Sequence, residues 1–186
     1  VGGHVPGHGH GESRVGLGGD GATPRPVGYM GWWRKITDND LGRPCDAVES
    51  AVCWKAAIER ADGPSCLVFS RQTLAHQERN ARQVAEIARG GYVLLDTEGG
   101  LPDVVLVGTG SEVQLAVKAR ELLAAKDIRA RVVSMPCREW FDEQDASYRE
   151  TVTPPTVKAR GSVEAGLGQG WRAVVGDHGR TGRRRH

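Results

Sequence analysis

Ser70 and Arg71 stand where a short apolar run, Cys66-Leu67-Val68-Phe69, gives way to polar sequence. If that run is a strand of an open α/β sheet, its carboxyl end faces the crevice where such sheets bind ligands. An arginine there offers a planar fork of donors suited to phosphate oxygens, although the same side chain can equally reach water or a neighbouring carboxylate. Asp20 lies in GLGGDG (16–21), where pliant backbone carries one carboxylate able to accept from a hydroxyl or an amide. That segment lacks the preceding strand and following helix of a dinucleotide fingerprint, and a plain turn accounts for it as well. GTGSE (108–112) sits between a strand and a helix and could present free N–H groups to an anion, but Glu112 sets a negative charge in that first turn. His4, His8 and His10 share a glycine-rich stretch with nothing rigid to hold a metal, so no metal site is expected. No Ser/His/Asp set, HExxH or phosphate-binding Walker loop is present.

The elements that must position these groups are legible in part. Residues 1–31 are dense in glycine without a period of 2 or 3.6, and are expected to be irregular or disordered. GYMGWWRKITDNDLG reads as a loop packed on the core through its aromatic residues. A helix is expected over about 47–61, capped by Asp46 with Glu49 three residues on, its buried face carrying Val48, Ala51, Val52, Lys55 by its stem, and Ile58. Asp62-Gly63-Pro64 stops it, and the run to Phe69 is a strand covered on both faces. Residues 75–103 read as a linker with local structure, including a hairpin-like YVLLDTEGG. VVLVGTG (104–110), SEVQLAVKARELLAAKD (111–127) and ARVVSMP (130–136) make a βαβ unit with Ser111 as helix cap. A short helix in FDEQDASYRE, a strand in VKARGSVEAG and the start of another helix in GQGWRAVVGD complete the pattern.

Composition bounds the function classes. With 186 residues, 39% hydrophobic and 26% charged, the chain is long enough for a real core. A net charge of +2, with much of the positive excess in the basic tail RTGRRRH, implies neither a nucleic-acid nor a membrane partner. No apolar run approaches the roughly 20 residues of a membrane span, and the start has no apolar signal region, so a cytoplasmic location is expected. The four cysteines are scattered without a CxxC pair and read as buried reduced thiols.

Beyond these readings, RPCDAVESAVCWKAAIERADGP, SRQTLAHQER, ARGGYVL, GTGSEVQLAVKARELL, ARVVSMPCREWFDEQDASYRE and VEAG follow one another from about 43 to 166 in a way that closely resembles transketolase. SRQ followed by QER is the most specific of these blocks, and GLGGDGATPRP resembles the family's glycine-rich catalytic loop. The resemblance implies an α/β chain in which an incomplete thiamine-diphosphate pyrimidine-binding domain precedes a Rossmann-like C-terminal domain. It divides the chain into the N-terminal segment 1–31, the end of the pyrimidine domain over 32–74, a linker over 75–103, the C-terminal domain over 104–179 and a basic tail over 180–186. It also implies transfer of a two-carbon ketol unit from a ketose phosphate to an aldose phosphate, as in the pentose phosphate pathway or Calvin cycle, with thiamine diphosphate and Mg²⁺ as cofactors. Arg71 would bind the sugar phosphate, Asp20 a substrate hydroxyl, and Ser70 would be a further substrate-binding residue. A homodimer, or pairing with an upstream transketolase polypeptide, is the implied assembly.

Departures from the family pattern accompany the match. Two histidines that bracket the glycine loop in the family fall at Glu12 and Pro24 here, and Gly19 stands where an acidic residue is usual. Proline carries no titratable proton and cannot replace an imidazole. The glutamate that activates the aminopyrimidine and the domain holding the diphosphate would lie upstream of residue 1, so the chain alone is expected not to bind the coenzyme. A noncatalytic remnant or interaction module is the alternative.

Overall fold

The computed structural model describes residues 8–13, 33–34, 36–70, 72–164, 171–176 and 179–183. Two sheets organise them. In the first, β1 (His8–Ser13), β3 (Ser65–Ser70) and β2 (Asp40–Gly42) run parallel in that spatial order. In the second the order is β4 (Tyr92–Leu95), β6 (Ala130–Ser134), β5 (Val104–Gly108), β7 (Arg160–Glu164) and β8 (Arg180–Arg183). Only β4 is antiparallel to its neighbour.

Helix α1 (Ala47–Glu59) starts at Asp46, whose side chain accepts from the Glu49 amide at 3.1 Å. The expected cap is therefore present, but the buried face differs. Glu49, Cys53 and Ala57 point inward at four-residue spacing, whereas Ile58 is 68% exposed and Lys55 is solvated. An apolar-stripe argument discards Glu49, and the structure buries it because four donors meet its carboxylate. Helix α1 lies between the sheets: Cys45, Val48 and Val52 pack with Tyr92, Leu94, Val113 and Val132, while Cys53 and Ala57 pack with Leu67, Cys137 and Trp140.

The βαβ unit forms as expected, with α3 (Val113–Ala124) joining parallel β5 and β6. Gly108 ends β5 where a Cβ would come within 2.8 Å of the Val113 Cα, so only glycine lets the helix start so close to the strand. Ser111 is not the cap. It lies in a short 3-10 turn, Gly110–Glu112, and donates its hydroxyl to Glu112 Oε1 at 2.7 Å. Helices α4 (Arg138–Asp142), α5 (Ala146–Val152) and α6 (Arg172–Val175) follow. They cover one face of the second sheet, where Val105, Val107, Val133, Phe141, Tyr148 and Trp171 form the largest apolar cluster.

Three further differences concern element boundaries. Strand β1 lies inside the stretch expected to be irregular: backbone pairing needs no side-chain period, and the whole strand is in register with β3. Strand β2 lies inside the segment read as a loop, too short at three residues to show a period. The linker contains helix α2 (Ala81–Ile87), with a reciprocal Asn80/Gln83 capping box, and β4, which pairs with β6 rather than folding back as a hairpin. The second sheet thus begins before residue 104, because pairing with β6 buries Tyr92 and Leu94 whereas a local hairpin would leave them in water. All four cysteines are free and buried, and burial raises their thiols.

Candidate functional site

Strands β1 and β3 end together. Glu12 is level with Phe69 and Ser13 with Ser70, so the chain leaves for the glycine-rich segment and for Arg71 from one edge of the first sheet. β2 pairs only as far as Leu67, and β3 runs three residues past that pairing. Half-buried Ser70 accepts the Gln72 amide on its Oγ at 3.2 Å. Arg71 and Asp20 lie outside the described residues, as do His4, Gly19 and Pro24. His8 and His10 are on β1.

The segment after Arg71 is tied down by charge. Asp46 Oδ2 accepts from the Gln77 amide at 3.0 Å and from Arg79 Nη1 at 2.6 Å, with His76 Nδ1 at 3.6 Å. Burial would raise the Asp46 carboxyl, but the Arg79 hydrogen bond and the Gln77 and Glu49 amides outweigh it and hold the group below its ordinary value. Arg79 continues to Glu49, which also accepts from the Cys45 amide at 2.7 Å, Tyr92 Oη at 2.7 Å and Ser134 Oγ at 2.6 Å. Burial, then the Glu49 charge, push the Tyr92 hydroxyl well above its ordinary value, so it stays a neutral donor. The segment leaving Ser70 is thereby anchored to the start of α1, and α1 to β4 and β6.

A second polar group joins the sheets. Arg43, immediately after β2, places Nη2 3.0 Å from Glu112 Oε2 and Nη1 3.3 Å from Glu164 Oε1. Glu164 also receives Arg34 Nη1 at 2.9 Å and the indole N–H of Trp171. Burial opposes its ionised form, but Arg34 and Arg43 prevail and keep the carboxyl below its ordinary value. Sequence reading missed Arg43, Glu49, Arg79 and Glu164 as a set. The one available signal was Asp46 with Glu49 at capping distance. Nothing in the linear order links Arg43 to Glu164, 121 residues away.

These groups tie the two sheets and α1 together. Among the described residues no cluster of three or more His, Cys, Asp or Glu side chains is placed to hold a metal ion. Among the same residues, no helix is long and apolar enough to cross a membrane.

Comparison with known proteins accounts for the arrangement. Residues 12–77 match the transketolase pyrimidine-binding domain, and residues 90–183 match the transketolase-like C-terminal domain. The chain is 55% identical over 166 residues to transketolase 2 of Vibrio vulnificus strain CMCP6 and 53% identical over 165 residues to transketolase 1 of Escherichia coli K12. Both matches cover 89% of this chain but only 25% of the relative. Among solved structures, the Pichia stipitis transketolase in complex with sedoheptulose-7-phosphate superposes with a TM-score of 0.82 at 34% identity, covering 95% of this chain and 25% of that one. The chain spans about a quarter of the length of the relatives it matches. With residues 12–77 and 90–183 together matching both domain models, the chain belongs to the transketolase family.

Proposed function

We propose that this chain presents the sugar-phosphate end of a transketolase site, in an enzyme that moves a two-carbon ketol unit from a ketose phosphate to an aldose phosphate. The observation that carries the reading is the shared end of β1 and β3, from which the glycine-rich segment with Asp20 and the Ser70-Arg71 pair both depart. In this reading Arg71 holds the phosphate with its two-pronged guanidinium, Ser70 donates to an oxygen beside it, and Asp20 accepts from a sugar hydroxyl. Thiamine diphosphate, bound with Mg²⁺ elsewhere in the assembled enzyme, supplies the electron sink for breaking and making the carbon–carbon bond. Orientation is what these residues add.

The coenzyme-binding portion would come from transketolase sequence outside the two matched regions, on the same polypeptide or a separate one. The assembled enzyme would be a cytoplasmic dimer serving carbohydrate metabolism of the pentose phosphate or Calvin type. Glu12 and Pro24, at the positions of the family's two loop histidines, support a second reading in which the chain is a noncatalytic remnant or interaction module. Calorimetric titration of the 186-residue chain with thiamine diphosphate and Mg²⁺ tests the division of labour. No saturable heat is expected, and saturable binding would contradict it.

A further inference from the structure

In the second sheet the chain leaves β5 for β6 on one side and later places β7 on the other, so the crevice beyond the carboxyl ends of β5 and β7 is a topological switch point. Open parallel sheets bind small ligands at such places. Here the crevice holds the Arg43 guanidinium, and Arg43 is 1% exposed. We propose that this crevice is a guanidinium socket, filled by the chain's own Arg43, through which the second sheet recognises the first module as it would a ligand. This inference is independent of the proposed reaction.

The fit is that of a site built for a planar two-pronged cation. Nη2 and Nη1 each face a different carboxylate, Glu112 at 3.0 Å and Glu164 at 3.3 Å, and these are 0% and 1% exposed. Gly110, at φ +57°, forms the floor. A Cβ there would stand 3.1 Å from Nη2 and 3.3 Å from Cζ, so glycine clears the space the guanidinium occupies. The backbone is gripped as well: the Gly110 amide donates to the Arg43 carbonyl at 3.0 Å, and the Arg43 amide donates to the Pro136 carbonyl at 2.6 Å. Arg34, a second arginine of the first module, lies with Cζ 5.4 Å from the Trp171 ring centroid and completes the charge balance on Glu164. A lysine ammonium is a compact point charge and cannot address two separated carboxylates in this way.

The test is thermal unfolding of the full chain carrying Arg43→Ala or Arg43→Lys. For Arg43→Ala the melting temperature is expected to fall and then to rise saturably with added methylguanidinium, by about 3 °C at ten times its dissociation constant. Methylammonium at equal ionic strength should not reproduce the rise, wild type should not show it, and adding Glu112→Gln should abolish it. Absence of a guanidinium-specific rise in the folded variant, or an equal rise in wild type, overturns the proposal. For Arg43→Lys a fall of at least about 5 °C is expected, because a retained charge without the fork leaves one buried carboxylate unmatched. A melting temperature like that of wild type overturns the socket, and this arm decides alone if Arg43→Ala does not fold.

Discussion

Glu49 shows why single residues in this chain resist reading from sequence. It is 0% exposed and accepts from an amide, a phenol, a serine hydroxyl and a guanidinium, each donated by a different residue. Glu49→Gln would turn an acceptor into a donor facing these donors and leave Arg79 short of charge, so a loss of about 3 kcal/mol is expected in denaturant unfolding. The carboxylates also set the acid limit. Asp46 and Glu164 both have folded values depressed below the ordinary 3.8 and 4.5. Their contribution is therefore complete above those ordinary values and is lost as pH falls through the depressed folded ones. Urea midpoints should be flat from about pH 7 to 5 and drop steeply below about pH 4. A midpoint that rises on acidification would contradict this assignment. Asp46 was legible as a cap because a cap is a local pattern, and the end of β3 at Ser70 because a change from apolar to polar sequence is one. Arg43 and Glu164 were not, since their partnership exists only after two sheets have docked.

At the scale of elements, the βαβ unit, β3, β7 and the short helices α5 and α6 read correctly, whereas β1, β2 and β4 did not. The βαβ unit carries its own pattern, whereas β2 is three residues long and β4 finds its partner 37 to 42 residues downstream. Gly90 is the hinge of that second case. It has φ +82°, and a Cβ there would collide with the Cys137 carbonyl at the cap of α4 and the Phe141 amide within it. Gly90→Ala should cost about 2 kcal/mol or more, by left-handed strain plus displaced backbone. Gly99, at φ +75° with open space around it, provides the control: Gly99→Ala should cost only about 1 kcal/mol. Equal losses in chemical denaturation would show that strain alone matters and that the close approach of β4 to α4 does not.

For the whole molecule, α1 is shared: one side packs on the first sheet and the other on the second, with the arginine contacts crossing between them. Such a chain should unfold in one transition, with tryptophan fluorescence and far-ultraviolet circular dichroism coinciding. Two separated transitions would show that the modules are independent. The α/β class and family were legible in the sequence because its blocks keep their order, while the docking of the modules was not, because it is made by polar groups that carry no period. The most direct test of the sugar-phosphate reading is a chimera in which residues 12–183, with Glu12→His and Pro24→His to restore the loop histidines, replace the matching quarter of the Vibrio vulnificus relative. Comparing its kcat/KM for phosphorylated and unphosphorylated acceptors with and without Arg71→Ala should show about a 30-fold loss confined to the phosphorylated sugar. Equal loss for both acceptors, or no loss, would contradict the assignment of Arg71 to the phosphate.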